Sequence, residues 1–199
     1  LQLEIAMFIS VPSRISRPEA SIERDAALPS TEGRDLFIRH IFTRVAPYLD
    51  VLSSGFSFGM DKWWRRRAAK LSGIKQGDRV LDICTGTGEL AFALLPLVGR
   101  EGSVIGADFC ENMIKIAQKK SASRKGNISF SFADAKDLPF SDNTFDAVTV
   151  GFGMRNIPDT ILALREIRRV LKPGGRFLCL ELTRPRDGWF LKFYLWYLN

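Results

Sequence analysis

Beyond the polar segment KQGD at residues 75–78, short apolar runs alternate with stretches of helical period. The runs occupy residues 79–84 (RVLDIC), 103–108 (SVIGAD), 128–132 (ISFSF), 145–151 (FDAVTVG) and 175–182 (GRFLCLEL). Helical stretches at 88–98, 111–122 and 159–171 separate several of them. Strands alternating with helices predict a parallel sheet covered on both faces, with right-handed crossovers. In such sheets ligands gather at the carboxyl ends of the strands, where the strand order reverses. The rule places a candidate site at residues 82–88, Asp108, Asp134 and residues 151–156.

Upstream the pattern differs. Residues 1–34 hold no sustained period and contain Pro12, Pro18, Pro29 and Gly33, which predicts a mobile leader. DLFIRHIFTRVAPYLDVL, from Asp35, and MDKWWRRRAAKLSGI, from Met60, predict two helices broken near Pro47 and between Gly55 and Gly59. In the second, Trp64, Ala68 and Leu71 share a face, while Arg65, Arg66, Arg67 and Lys70 spread over the rest. The expected organisation is a leader (1–34) and one α/β domain (35–199). Within the domain, 35–75 are N-terminal helices, 76–182 the α/β core and 183–199 an aromatic C-terminal helix.

Composition narrows the class only a little. At 199 residues with 46% hydrophobic and 26% charged residues, the chain can bury a sizeable core. No apolar run is long enough to span a bilayer. The first segment lacks the leading charge of a secretory signal, and the acids among residues 13–34 argue against a transit peptide. Cys84, Cys110 and Cys179 are far apart, fit neither a zinc spacing nor a disulfide framework, and point to a reducing compartment. No metal site is expected. The net charge of +7 suits a soluble basic enzyme or one that meets an anionic membrane, and no nucleic-acid motif accompanies it.

The chemistry concentrates in VLDICTGTGELAF, residues 80–92. Gly86, Gly88 and Ala91 satisfy G-x-G-x-x-G/A, and Asp108 lies twenty residues beyond Gly88. That is also the grammar of a dinucleotide site. A dehydrogenase of that kind needs a proton donor beside its hydride acceptor. Here His40 and the tyrosines Tyr48, Tyr194 and Tyr197 all fall outside the sheet region. S-adenosylmethionine, which has no phosphate and carries a sulfonium, makes other demands. Asp108 can accept both ribose hydroxyls, Asp134 the adenine amino group, and Asp82 would lie near the positive methionine end. Each acid has a plainer reading: Asp82 capping its turn, Asp108 capping the next helix, Asp134 a surface loop acid. Three acids at successive strand ends favour the cationic cofactor.

LDICTGTGELA, VIGADFCENMI, FADAKDLPFSDNTFDAVTVGFGMRNIPD and LREIRRVLKPGGRFLCLEL resemble the ubiquinone/menaquinone biosynthesis C-methyltransferase family. The similarity covers roughly residues 36–198. Several of these segments are shared by many class I methyltransferases. GFGMRNIPD is narrower and points to quinol substrates, and FSFGMDKWWRR looks like the family's N-terminal substrate-side segment. The resemblance implies a Rossmann-like class I methyltransferase fold, with a mostly parallel central sheet, helices on both faces and an N-terminal helical extension. It implies S-adenosyl-L-methionine as cofactor, in contact with Thr87, Asp108, Asp134, Ala135 and Gly151; Asp82, Thr85, Gly86, Gly88 and Phe109, in the same turn and strand ends, complete the expected cofactor-binding set. Gly151 stands where the family often has serine. Arg155 and Asn156 fall on the pair expected to face the substrate ring.

Two departures stand out. The family usually has Tyr-Asp in its first helix; here Leu49 precedes Asp50 and Tyr48 comes one place early, about 100° of helix away. The family also continues past Asn199 into an antiparallel strand pair; the chain is either a fragment or a shortened variant, and if natively short it is expected to lack those C-terminal edge strands and to end on a bare edge.

The expected reaction is methyl transfer to a ring carbon of a polyprenyl quinol precursor. Arg155 would stabilise the phenolate, Asn156 orient the ring, and Asp50 or water accept the proton. The alternatives are a methyltransferase for another small molecule and a cofactor-binding scaffold without turnover. The expected setting is cytoplasmic and peripheral to the inner face of the membrane. Two stretches are candidates for the anionic lipid surface: Trp63 to Arg67 with Lys70, and WFLKFYLWYLN at residues 189–199. A homodimer is a further option, and no nucleic acid is expected.

Overall fold

The computed structural model describes residues 7–10, 40–57 and 59–181. In chain order come β1 (Met7–Ser10), α1 (residues 40–45), a 3-10 turn at Ala46–Tyr48, α2 (Leu49–Phe56) and α3 (Met60–Leu71). The α/β core follows as β2 (Arg79–Ile83), α4 (Glu89–Val98), β3 (Ser103–Asp108), α5 (Glu111–Ser121), β4 (Ile128–Phe132) and β5 (Phe145–Gly151). A 3-10 turn at Met154–Asn156, α6 (Thr160–Val170) and β6 (Leu171–Leu180) complete it.

The sheet order is β1-β6-β5-β2-β3-β4. Strands β2 to β6 run parallel, and β1 is antiparallel to β6. The chain steps outward from β2 to β3 and β4, then crosses back to β5 and β6. The reversal opens a crevice above β2. Alternate residues of β2 feed opposite layers: Leu81 and Ile83 pack with Ala163 and Ile167 of α6, Val80 with Leu90, Leu94 and Val98 of α4. Every one of these side chains is buried.

Two devices hold the crevice in shape. Phe130 of β4 lies so close to Gly106 that a Cβ there would sit 2.4 Å from its ring, so β3 and the glycine turn share one aromatic plug. On the far side Arg169 of α6 donates to the carbonyls of Leu138 and Phe140 and pairs with Glu166 and Asp142, while the Leu138 N–H donates to Glu166. That network pins the segment following Asp134. The start of α6 is fixed by Asp159, which accepts from the Leu162 N–H at 2.9 Å.

Residues 7–10 fall within the expected leader, yet they form β1 and lie along β6, with Ile9 opposite Phe177 and Ser10 opposite Arg176. The expected bare edge of β6 is therefore covered: β1 supplies partners to the backbone groups on that side. The rest of the expected leader and the aromatic stretch 189–199 lie outside the described residues. Among the described residues no helix is long and apolar enough to cross a membrane.

Candidate active site

A cavity of about 980 Å³ opens above the carboxyl ends of β2, β3, β4 and β5 and is roofed by α2 and α3. All the sequence-predicted site residues except Gly88 line it: Asp50, Asp82, Thr85, Gly86, Thr87, Asp108, Phe109, Asp134, Ala135, Gly151, Arg155 and Asn156. Gly88 lies just behind. With φ at +89°, and its would-be Cβ 2.9 Å from Phe130, it turns the chain into α4. Gly86 faces the open side, where a Cβ would meet nothing nearer than Leu49 at 4.0 Å.

The acids differ sharply in setting. Asp82 is fully buried, and its two oxygens accept from the hydroxyls of Thr85 and Thr149, each at 2.6 Å. Burial pushes its carboxyl up to about 6. Asp108, at the tip of β3, accepts from the N–H groups of Gly86 at 2.8 Å and Cys110 at 2.9 Å, and burial raises it as well. It bridges two strand tips rather than capping α5, whose cap residue is Cys110. Asp134 is half-exposed, accepting from the Lys136 N–H at 2.9 Å with the Lys136 ammonium 3.5 Å away. Cys84 and Phe152, at the ends of β2 and β5, hold φ of +50° and +60°. Such strain in side-chain-bearing residues gathers at ligand sites.

Because Asp82 titrates near 6 when folded and near 3.8 otherwise, the free protein holds more protons than the unfolded chain between those values. Its stability is therefore expected to fall as pH rises from about 4 to about 6 and then level, by an amount on the order of a few kcal/mol. Asp82→Asn should flatten that slope. Denaturant midpoints at pH 4, 5, 6 and 7 for both proteins measure it; identical slopes would contradict it.

Arg155 and Asn156 share the 3-10 turn after β5. The Arg155 guanidinium is half-exposed and pairs with Glu181 at 3.1 Å, not with Asp159 four residues on. The reason is geometric: Asp159 is committed to capping α6. Asp50 accepts from the Thr87 hydroxyl at 2.5 Å and pairs with Lys120, which also reaches Glu89 at 2.8 Å. Tyr48 is 65% exposed and does not line the cavity; Leu49 takes that place.

Sequence reasoning put the segment holding α3 on the substrate side without singling out the residues that line the cavity. Asp61, Trp64 and Arg65 line the cavity, whereas Arg65 was expected on the solvated face and Trp64 stood in the candidate lipid patch. Trp64 is buried, and Arg65 pairs with the buried Asp61, which also accepts from Ser54 and Ser57. The signal was present: Asp61, Trp64, Arg65 and Ala68 stand at i, i+3, i+4 and i+7, one inward stripe of a helix. Lys120 carries no comparable signal, since its partners lie on α4 and α2.

Residues 30–199 match the ubiE/COQ5 methyltransferase family. The chain belongs to it. A curated relative, the demethylmenaquinone methyltransferase of Staphylococcus aureus (strain JH9), is 43% identical over 162 residues. That match covers 81% of this chain and 67% of the relative, so the chain spans about two thirds of its length. A SAM-dependent methyltransferase from Aquifex aeolicus superposes with a TM-score of 0.57 at 27% identity, over 62% of this chain and 66% of that one. The [4+2]-cyclase SpnF superposes with a TM-score of 0.58 at 29% identity, over 64% and 47%. The expected α/β methyltransferase fold is thus borne out. The same architecture also carries a cyclase, so this family member's substrate must be argued from its site.

That site suits S-adenosylmethionine on its own chemistry. The glycine turn leaves the space over Gly86 open, strand-tip carboxylates line one side, and the lining includes no lysine within the turn to meet a phosphate.

Proposed function

We propose that this chain transfers a methyl group from S-adenosylmethionine to a ring carbon of a polyprenyl quinol precursor in menaquinone or ubiquinone biosynthesis. One observation carries the reading: a single cavity has carboxylates at the strand tips on one side and Arg155 with Asn156 on another. Between them lie the apolar Leu49, Met60, Trp64, Phe152 and Ile157. Its volume stands at the upper end of the usual range of about 300–1,000 Å³ for small-molecule sites, as two reactants require.

S-adenosylmethionine, when bound, supplies an electrophilic methyl group on a positively charged sulfur. Asp108 accepts the ribose hydroxyls; Asp134 and Ala135, beside Phe109, hold the adenine; Gly86, Thr87 and Gly151 shape the passage between. Asp82 lies beneath the methionine end. Aromatic carbon is a weak nucleophile until a ring hydroxyl ionises. Arg155 stays protonated and so stabilises the phenolate instead of taking its proton. Glu181 occupies one nitrogen of the guanidinium, and among the described residues no acceptor claims the others. Asn156 orients the ring, and Asp50 or water takes the proton. In that transfer the ring carbon would take the methyl group, the C–S electron pair would stay on sulfur, and the ring proton would leave to water.

Incubation with labelled S-adenosylmethionine and a short-chain demethylmenaquinol tests this reading. Label on the ring carbon is expected. Firm cofactor binding without transfer to either a naphthoquinol or a benzoquinol would overturn the substrate.

The acceptor's polyprenyl chain resides in a membrane, and the outer face of α3 fits such a surface. Lys62, Arg66, Arg67 and Lys70 line a cleft with Arg124, and Trp63 is 57% exposed with Arg67 over its ring at 5.9 Å. Each basic side chain near anionic lipid is worth about 1 kcal/mol. Reversing both Arg66 and Arg67 to glutamate is therefore expected to weaken co-sedimentation with phosphatidylserine vesicles by more than about tenfold. Binding insensitive to that change and to ionic strength counts against the surface.

A further inference from the structure

The proposed donor carries a carboxylate at its methionine end, and none of the strand-tip acids can hold it. Asp82, Asp108 and Asp134 would repel it, and a cation near Asp82 is the partner that would offset them. Among the described residues three basic side chains line the cavity: Arg65, Lys136 and Arg155. Lys136 is occupied with Asp134, two strands away from β2, and Arg155 leans on Glu181. Among the described residues Arg65 is the remaining cation, and its charge, with the Thr149 and Thr85 hydroxyls, opposes the effect of burial on the Asp82 carboxyl.

Arg65 is also built as a fixed binding group. Its side chain is only 15% exposed. One nitrogen donates to Asp61 Oδ2, while the other oxygen of that carboxylate accepts from the Ser54 and Ser57 hydroxyls at the end of α2. The guanidinium lies 5.2 Å from the centroid of the Phe152 ring, which restricts its plane. Among the described residues no acceptor takes its other N–H donors, although the group borders the cavity. A guanidinium that cannot lose its charge, is largely withdrawn from water and keeps a free donor edge is suited to a planar anion taken two-pronged.

We propose that Arg65, held in place by Asp61, receives the α-carboxylate of the methyl donor. The inference rests on the S-adenosylmethionine reading above. It adds a donor-binding group on α3, outside the strand-tip motifs. It also gives the i, i+4 pairing of Asp61 and Arg65 a purpose beyond joining α2 to α3.

Calorimetric titration of the full chain with S-adenosylmethionine and with its decarboxylated form tests it, in the wild type and in Arg65→Met. A charge-assisted pair is worth roughly tenfold to hundredfold in affinity. The wild type is expected to prefer the carboxylated donor by that factor. The variant should bind both forms equally, at the level the wild type shows for the decarboxylated one. Equal affinity of the wild type for the two forms overturns the inference. So does a variant that keeps the preference, as it would if Arg65 were only a helix staple or served the acceptor ring. Should Arg65→Met fail to fold, the wild-type comparison still decides, and Arg65→Lys should narrow the preference several-fold. A wild type that binds neither form defeats the donor reading itself, an outcome plainly distinct from the others.

Discussion

Asp108→Ala is expected to weaken S-adenosylhomocysteine binding by roughly a hundredfold to ten-thousandfold, the largest loss at any single position on the donor side. The figure follows from two charge-assisted hydrogen bonds to the ribose diol at about 1.5–3 kcal/mol each. Asp108 is prepared for that task before any ligand arrives. Its oxygens already accept from the Gly86 and Cys110 N–H groups, which fixes the carboxylate between the tips of β2 and β3 and leaves one lone-pair direction on each oxygen. The same substitution should lower stability, because it strands two N–H donors at a cost of about 1–3 kcal/mol each. Asp108→Asn preserves the shape but turns an NH2 toward one of those donors, so it should recover stability only in part and affinity hardly at all. Calorimetry paired with denaturant titration separates the two effects. An alanine variant that binds within threefold of wild type would mean that the adenosine lies elsewhere in the cavity.

The central architecture was legible because it is written locally. The runs at 128–132 and 145–151 form β4 and β5 without a residue's difference, and α4, α5 and α6 fall within a residue or two of their helical stretches. The site was legible for a related reason: a parallel sheet puts its ligands at strand tips, and the tips could be counted. What escaped was set by partners distant in sequence. β1 has four residues, too few for a period to register, and it exists by pairing with residues 176–178. β6 begins at Leu171 rather than Gly175. Leu171 pairs with Phe145 before the ladder shifts register and resumes at Ala147 and Arg176, so Pro173, Gly174 and Gly175 form an irregularity within a strand rather than its border. Arg155 took Glu181 because the end of β6 lies beside the end of β5, a neighbour relation that spacing along the chain does not reveal. Arg65 was misplaced because a charge counts as surface in a periodicity argument; its burial depends on Asp61 one turn earlier, the compensation that lets an ion leave water.

Arg155→Met is expected to lower kcat by about 10- to 150-fold while leaving donor affinity within twofold of wild type. A phenolic hydroxyl ionises near pH 10, so forming the phenolate at pH 7 costs about 4 kcal/mol. One cation beside the oxygen offsets about 1.5–3 kcal/mol of that through a charge-assisted hydrogen bond. Methionine keeps the apolar stem and removes only the charge. Arg155→Lys keeps the charge but loses the planar fork that can serve Glu181 and the ring oxygen together, and should fall between the two. The pH profile distinguishes this role from mere positioning. Without the cation the substrate must ionise unaided, so the rate of Arg155→Met should keep climbing with pH toward the phenol's own value, where the wild type has already levelled. High pH would then rescue much of the loss. A methionine variant slowed equally at every pH would assign Arg155 to ring alignment, and one with full activity would remove it from the reaction. Glu181 offers a check from the opposite side. Replacing it with glutamine relieves the Arg155 charge of its only compensating acid among the described residues. The guanidinium then acts more strongly on the ring oxygen, and the wild-type plateau should begin at lower pH.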